Sequence, residues 1–158
     1  MTPGFRKALL TTHVVVSVGW LGAVAAVLAV AIVGLVADGE ETVRGAYLVL
    51  EPAAWFVLVP FALASLLTGI VQSLAGPWGL FRHYWVLFKL AINVLATVVL
   101  LAYTQTLDFL AHEAAAGALE ELRTPSVVIH ASAALVLLLV ATTLAVVKPR
   151  GRTPWARR

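Results

Sequence analysis

The chain has 158 residues, of which 61% are hydrophobic and only 12% are charged, and its mean hydropathy is +0.97. Soluble domains carry about twice this share of charged residues, which argues against the water-soluble globular, disordered and fibrous classes. The chain contains no cysteine, so disulfides, thiolate metal sites, iron–sulfur clusters and cysteine nucleophiles are excluded. The length is that of one domain.

Four long apolar runs, separated by charged breaks, dominate the sequence. They cover residues 8–37, 52–74, 84–107 and 127–147. Each has at least 20 residues, the length of a helix that crosses a hydrocarbon layer of about 30 Å. No segment alternates polar and apolar residues as a membrane β-strand does. The sequence therefore predicts an all-α integral membrane protein, a single domain over residues 1–158 that forms a bundle of four transmembrane helices.

Charged residues are divided unevenly between the two ends of these helices. Arg44 and Arg123 are the only basic residues that share an end with all eight acids. The acids are Asp38, Glu40, Glu41, Glu51, Asp108, Glu113, Glu120 and Glu121. The basic residues at the opposite end are Arg6, Lys7, Arg82, Lys89, Lys148, Arg150, Arg152, Arg157 and Arg158. The positive-inside rule then predicts that both termini are cytoplasmic. This rule and contact with anionic lipid explain the basic tail better than binding to nucleic acid does.

Several polar residues lie at similar depth inside the apolar runs, where polar groups are costly and usually face a partner. At about 1.5 Å per helical residue, His13 lies roughly 9 Å deeper than Lys7. Lys89 has a similar depth beyond Arg82. Thr68 and Gln72 of the second run and Thr142 of the fourth reach the same level, because these two helices run in the opposite direction. The sequence predicts one inner cluster of His13, Ser17, Thr68, Gln72, Lys89, Asn93 and Thr142, with His83 just below it at the interface.

A second polar set lies toward the acidic end. Glu51 opens the second apolar run, Asp108 follows the third, and His130 lies about one turn into the fourth. Asp108 and His112 share a helix face if the third helix continues. Carboxylates and imidazoles bind copper and zinc, so these four residues are candidate metal ligands. The alternatives are a solvated loop histidine at His112 and a hydrogen-bonded core histidine at His130.

Histidines inside a helical bundle also suit a b-type haem, because neutral imidazole is a good axial ligand and the bundle core is dry. Nearby Lys, Arg or Gln side chains are candidates to hold the propionates. His13, Lys89, Gln72, Asn93 and His83 are the candidate cofactor-binding residues. A packed core role remains open for His13, and an interfacial anchoring role for His83. Because acidic residues disfavour propionates at the other end, we expect one haem, at the inner or middle level.

Three stretches resemble small bacterial membrane families. LLTTHVVVSVGWLGAV, residues 9–24, places Trp20 and Gly22 after His13 as in the first helix of CopD copper-resistance domains and HemJ-type protoporphyrinogen oxidases. TGIVQSLAGPWGLFRHYWVLFKLAINVLATVVLL resembles their middle hairpin. IHASAALVLLLVATTLAVVKPRGRTPW looks most like a family of four-span bacterial proteins with a KPxGxTP tail. The resemblance implies a multi-pass protein of the bacterial inner membrane.

The HemJ resemblance implies haem-linked roles for His13 and Lys89. The HemJ pattern has a further histidine two residues before the lysine, where this chain has Leu87. The resemblance to CopD implies copper handling, but the chain has a single methionine and so lacks the methionine-rich patches expected of a copper transporter.

Three functions follow as expectations. The first is haem-based electron transfer with a quinone or a partner protein. The second is a non-catalytic accessory or assembly subunit of a larger membrane complex, with another membrane protein or further copies of this chain as the expected partners. The third is the handling of copper or another metal, and a tetrapyrrole-oxidising enzyme is a further alternative.

Overall fold

The computed structural model describes residues 2–76, 79–118 and 122–154, and within these residues it contains helices and no strand. Four helices are long and apolar enough to cross a membrane, which indicates a multi-pass membrane protein. They are α1 (Pro3–Val36), α2 (Glu40–Ala75), α3 (Tyr84–Ala116) and α4 (Ser126–Val147). Glu120, Glu121, Arg157 and Arg158, which entered the charge argument, lie outside the described residues.

The four helices form a bundle in which successive helices are antiparallel. Helices α1 and α3 each pack against both α2 and α4. The first turns of α1 and α3 and the last turns of α2 and α4 line one cavity, so residues near both termini lie at the same end. We call this the basic end; it contains Arg6, Lys7, Arg82, Lys148, Arg150 and Arg152. The acidic end contains Asp38, Glu40, Glu41, Asp108 and Glu113.

The second helix is longer than its apolar run. It begins at Glu40 rather than at residue 52, so Glu51 lies inside α2 and does not open it. The added segment, Glu40–Ala53, is amphipathic: its buried residues recur at helical spacing and are Val43, Ala46, Tyr47 and Leu50. Glu40 and Glu41 occupy its first turn, where carboxylates stabilise the positive end of the helix dipole.

Helices α1 and α3 also extend beyond their apolar runs. Helix α3 ends at Ala116 rather than at residue 107, and its cap is Gly117 with a φ of 83°, which donates to the carbonyl of Glu113. A left-handed cap of this kind favours glycine. The 34 residues of α1 and 33 of α3 span about 50 Å at the usual rise, against a hydrocarbon layer of about 30 Å.

The helical extensions pack against each other at the acidic end. We call this the acidic-end cluster; it comprises the buried residues Val43, Tyr47, Leu50, Leu107, Leu110, Ala114, Leu122 and Val127. The apolar core is therefore continuous through the acidic half of the bundle. The basic half is less tightly filled, and the polar residues of the four helices meet there.

Two arginines at the acidic end bind the C-terminal ends of helices. The guanidinium of Arg123 donates to the carbonyl of Ala37 at 2.9 Å and to that of Leu35 at 3.5 Å. Arg44 donates to the carbonyl of Ala115 at 3.2 Å. The last carbonyls of a helix have no partner within it and carry partial negative charge. The two basic residues that depart from the charge asymmetry are therefore caps of α1 and α3.

A π-helical segment, Ala54–Leu58, interrupts α2 between Pro52 and Pro60. Pro60 has no N–H to donate to the carbonyl four residues before it. The preceding N–H, of Val59, bonds to the carbonyl of Ala54, five residues back. Within this segment, the indole N–H of Trp55 donates to Asp108 Oδ1 on α3 at 3.3 Å.

Candidate functional site

A cavity of about 840 Å³ lies between all four helices in the basic half of the bundle. It extends from Arg6 and Lys7 on α1 to Trp20 on the same helix, a depth of about 20 Å at 1.5 Å per residue. Its volume is within the range of about 300–1,000 Å³ that is usual for ligand sites. Polar lining residues include His13, Ser17, Ser65, Gln72, Ser73, Lys89, Asn93 and Thr142.

His13 is the central polar side chain of this cavity, and it is only 6% exposed. Its Nδ1 lies 2.9 Å from Thr68 Oγ1 on α2, and its Nε2 lies 3.1 Å from Lys89 Nζ on α3. Three helices therefore meet at this one imidazole. Both His13 and Lys89 line the cavity, whereas Thr68 does not.

The helix backbones around His13 are closely fitted to it. A Cβ added at Gly69 would lie 3.0 Å from Cε1 of His13, closer than most side-chain contacts, so the ring would have to shift by a few tenths of an ångström to admit it. Asn93, one turn beyond Lys89, donates from Nδ2 to the carbonyl of Lys89 at 2.8 Å. The Oγ atoms of Ser17 and Ser65 lie 2.8 Å apart and join α1 to α2 one turn deeper.

Positive charge surrounds the opening of the cavity at the basic end. Arg6 and Lys7 at the start of α1 and Lys148 at the end of α4 are exposed and line the cavity. The apolar residues of the deeper walls include Trp20 and Leu138, which are both buried. This distribution favours an amphipathic ligand whose apolar body lies between the helices and whose acidic groups lie at the opening.

The structure brings together four of the five candidate cofactor-binding residues. His13, Gln72, Lys89 and Asn93 all line the cavity. His83 does not line it: this residue precedes α3 and forms an isolated antiparallel bridge with Arg152, and its ring centroid lies 6.5 Å from that of Trp85.

The four candidate metal ligands are not brought together as one group. His112 and His130 donate from Nδ1 to carbonyls of their own helices, those of Asp108 and Ser126, each at 2.8 Å. The ring of His130 stacks on Tyr103 with centroids 4.0 Å apart. Within the part of the chain that the structure describes, no group of three or more His, Cys, Asp or Glu side chains is arranged to hold a metal ion.

The segment after α4 pairs with the loop before α3, a contact that sequence analysis missed. We call residues 149–154 the tail segment. Thr153 is only 2% exposed; its N–H donates to the carbonyl of Arg82 at 3.1 Å, and its hydroxyl donates to the carbonyl of Phe81. The sequence signal was the KPRGRTP tail, in which Thr153 is the one hydroxyl. Gly69, the other missed residue, directly follows a threonine already assigned to the inner cluster.

Comparison of the chain with models of known protein families, with characterised proteins and with solved structures gives no match.

Proposed function

We propose that this chain is a multi-pass protein of the bacterial inner membrane that binds one b-type haem in the basic-end cavity and transfers electrons to or from a quinone or a partner protein. The observation that carries the proposal is the His13 site: a buried imidazole faces a cavity with apolar walls and a basic opening. The unequal distribution of charge further supports an orientation with both termini in the cytoplasm.

The residues of the cavity fit a haem in three respects. First, the contact between His13 Nδ1 and Thr68 fixes the ring and leaves Nε2 on the side of Lys89 and the cavity, and axial histidines are normally held through their second nitrogen in this way. Second, the cavity has room for a drug-sized or larger flat ligand. Third, Arg6, Lys7 and Lys148 at the opening supply the positive charge that two propionates require.

The chain's own residues have distinct roles in this proposal. His13 would hold the iron through Nε2. Lys89 donates to the same nitrogen in the structure and would release it to a bound haem. Asn93 restrains the backbone at Lys89, and the apolar walls exclude water. Bound haem supplies one-electron redox chemistry, and the protein sets its potential through the ligand and the surrounding dielectric.

The test is the visible absorption spectrum of protein purified from cells grown with ample haem, recorded oxidised and reduced. We expect a Soret band, one haem per chain by pyridine haemochrome, and loss of both in His13→Ala. The matched control is His130→Ala, a histidine bonded to its own helix at the acidic end, which should retain the band. A colourless wild-type protein would overturn the proposal, and a ratio near two that falls to one in the control would overturn the single site.

A further inference from the structure

We infer that Thr68 is a positioning residue that sets the tautomer of His13 and so keeps the lone pair on Nε2, the nitrogen that contacts Lys89. The inference deepens the proposed haem site and rests on it for one of its two measurements. The other measurement is made on the protein without ligand, so that the failure of one proposal can be distinguished from the failure of the other.

The hydroxyl of Thr68 has one hydrogen, and its position follows from its neighbours. Oγ1 lies 2.6 Å from the carbonyl of Ala64 and 3.3 Å from that of Ser65, both on α2. A carbonyl oxygen only accepts hydrogen bonds, so the hydroxyl hydrogen is directed to this backbone. Oγ1 then accepts from His13 Nδ1, at 2.9 Å, and the hydrogen of this contact belongs to the histidine.

The role of Nε2, the second ring nitrogen, follows from the position of the hydrogen on Nδ1. With Nδ1 protonated, the neutral imidazole has its lone pair on Nε2. Lys89 Nζ lies 3.1 Å away and has only hydrogens to offer as an ammonium, so Lys89 donates and Nε2 accepts. The chain of donors therefore runs from Lys89 to His13 and from His13 to Thr68, and it ends at the α2 backbone.

The orientation of the His13 ring is therefore determined by two residues of α2. Thr68 supplies the acceptor, and Gly69 leaves the space for Cε1. An Nδ1–H that is held by an acceptor fixes the ring and increases the donor strength of Nε2 toward a metal. Without the hydroxyl, the opposite tautomer becomes accessible, in which Nε2 carries the hydrogen and has no lone pair to bind a metal.

The first measurement is ¹⁵N NMR of the histidine rings in detergent, without haem. We expect a protonated Nδ1 and an unprotonated Nε2 for His13 in the wild type and in Thr68→Ser, and a mixed or reversed tautomer in Thr68→Val, which keeps the shape but lacks the hydroxyl. The matched control is Thr143→Val. Thr143 is exposed and does not line the cavity, and its hydroxyl donates to the carbonyl of Leu139 on its own helix, at 2.9 Å.

The second measurement is haem binding. Loss of a partner behind a metal-ligating histidine typically lowers affinity about 10- to 100-fold, so we expect a loss of this size in Thr68→Val, with a shifted reduction potential, rescue by Thr68→Ser and no change in Thr143→Val. A wild-type ring protonated on Nε2, or an unchanged tautomer in Thr68→Val, overturns the inference. A wild type with the expected tautomer that binds no haem overturns the proposed function and leaves the role of Thr68 standing.

Discussion

Single residues determine the geometry at His13, and Gly69 restricts the position of the imidazole ring because it leaves little room between the backbone of α2 and Cε1. Gly69 lies on α2 where a Cβ would approach Cε1 of His13 to 3.0 Å. Gly22 on α1 differs in this respect, since no atom lies within 4 Å of the position that its Cβ would occupy. The two glycines are thus a matched pair for separating a steric requirement of the site from the general effect of adding a methyl group.

We expect Gly69→Ala to displace the imidazole and to weaken its contacts with Thr68 and Lys89, at a cost of about 1–3 kcal/mol, the usual range for overpacking. Gly22→Ala should be neutral or slightly stabilising, because alanine favours a helix over glycine by up to about 1 kcal/mol. Thermal unfolding in detergent, followed by circular dichroism, measures both variants. Equal behaviour of the two alanines would show that His13 is not confined by residue 69.

At the scale of helices, the acidic end depends on caps supplied by neighbouring elements. Arg123 precedes α4 but binds the last carbonyls of α1, and Arg44 in α2 binds the end of α3. Each arginine therefore joins two helices and satisfies backbone oxygens that would otherwise need water. The two arginines at the acidic end therefore have a structural role as helix caps.

We expect Arg123→Ala to destabilise the bundle by about 0.3–1 kcal/mol, the range for an exposed cation at a helix C-terminus. Arg123→Lys keeps the charge but replaces the forked guanidinium with a single ammonium, so its loss should be smaller. Urea or thermal unfolding in detergent gives the difference. If Arg123→Lys were as damaging as Arg123→Ala, the two-carbonyl geometry would matter more than the charge.

Sequence reasoning predicted the helices and the site to different degrees. Four membrane-length helices are confirmed, because an apolar run of 20 residues is a strong signal. The predicted start of α2 was wrong. Glu40, Glu41 and Arg44 interrupt the apolar pattern, but the helix includes them because one of its faces is buried. The regular rise of a helix was enough to predict that His13 and Lys89 lie at one level. It was not sufficient to predict which nitrogen of His13 meets which partner, because that depends on the rotation of α1 and on the small residue at 69.

At the scale of the whole molecule, the bundle has one packed end and one hollow end. The acidic-end cluster fills the acidic half, and the cavity opens in the basic half. The proposed orientation places the cavity opening on the cytoplasmic side and the packed end outside.

The chain has no cysteine, so a single introduced cysteine reports orientation without background. We expect Glu40→Cys to react with a membrane-impermeant maleimide in intact cells, after permeabilisation of any outer membrane. Arg150→Cys should react only when the inner membrane is opened, because the proposed orientation puts the basic end on the cytoplasmic side. Labelling in the reverse order would contradict the proposed orientation.

The pairing of the tail segment with the loop before α3 has a consequence for biogenesis. Seventy-two residues separate Phe81 from Thr153. At about 5–20 residues per second, the ribosome needs roughly 4–14 s to add that length. During this interval α2 and α3 can insert as a hairpin, but the loop between them lacks the partner that holds it in the finished protein. Because residues of α4 line the cavity, both the cavity wall and the loop before α3 gain their last partners only after α4 and the tail segment have been synthesised.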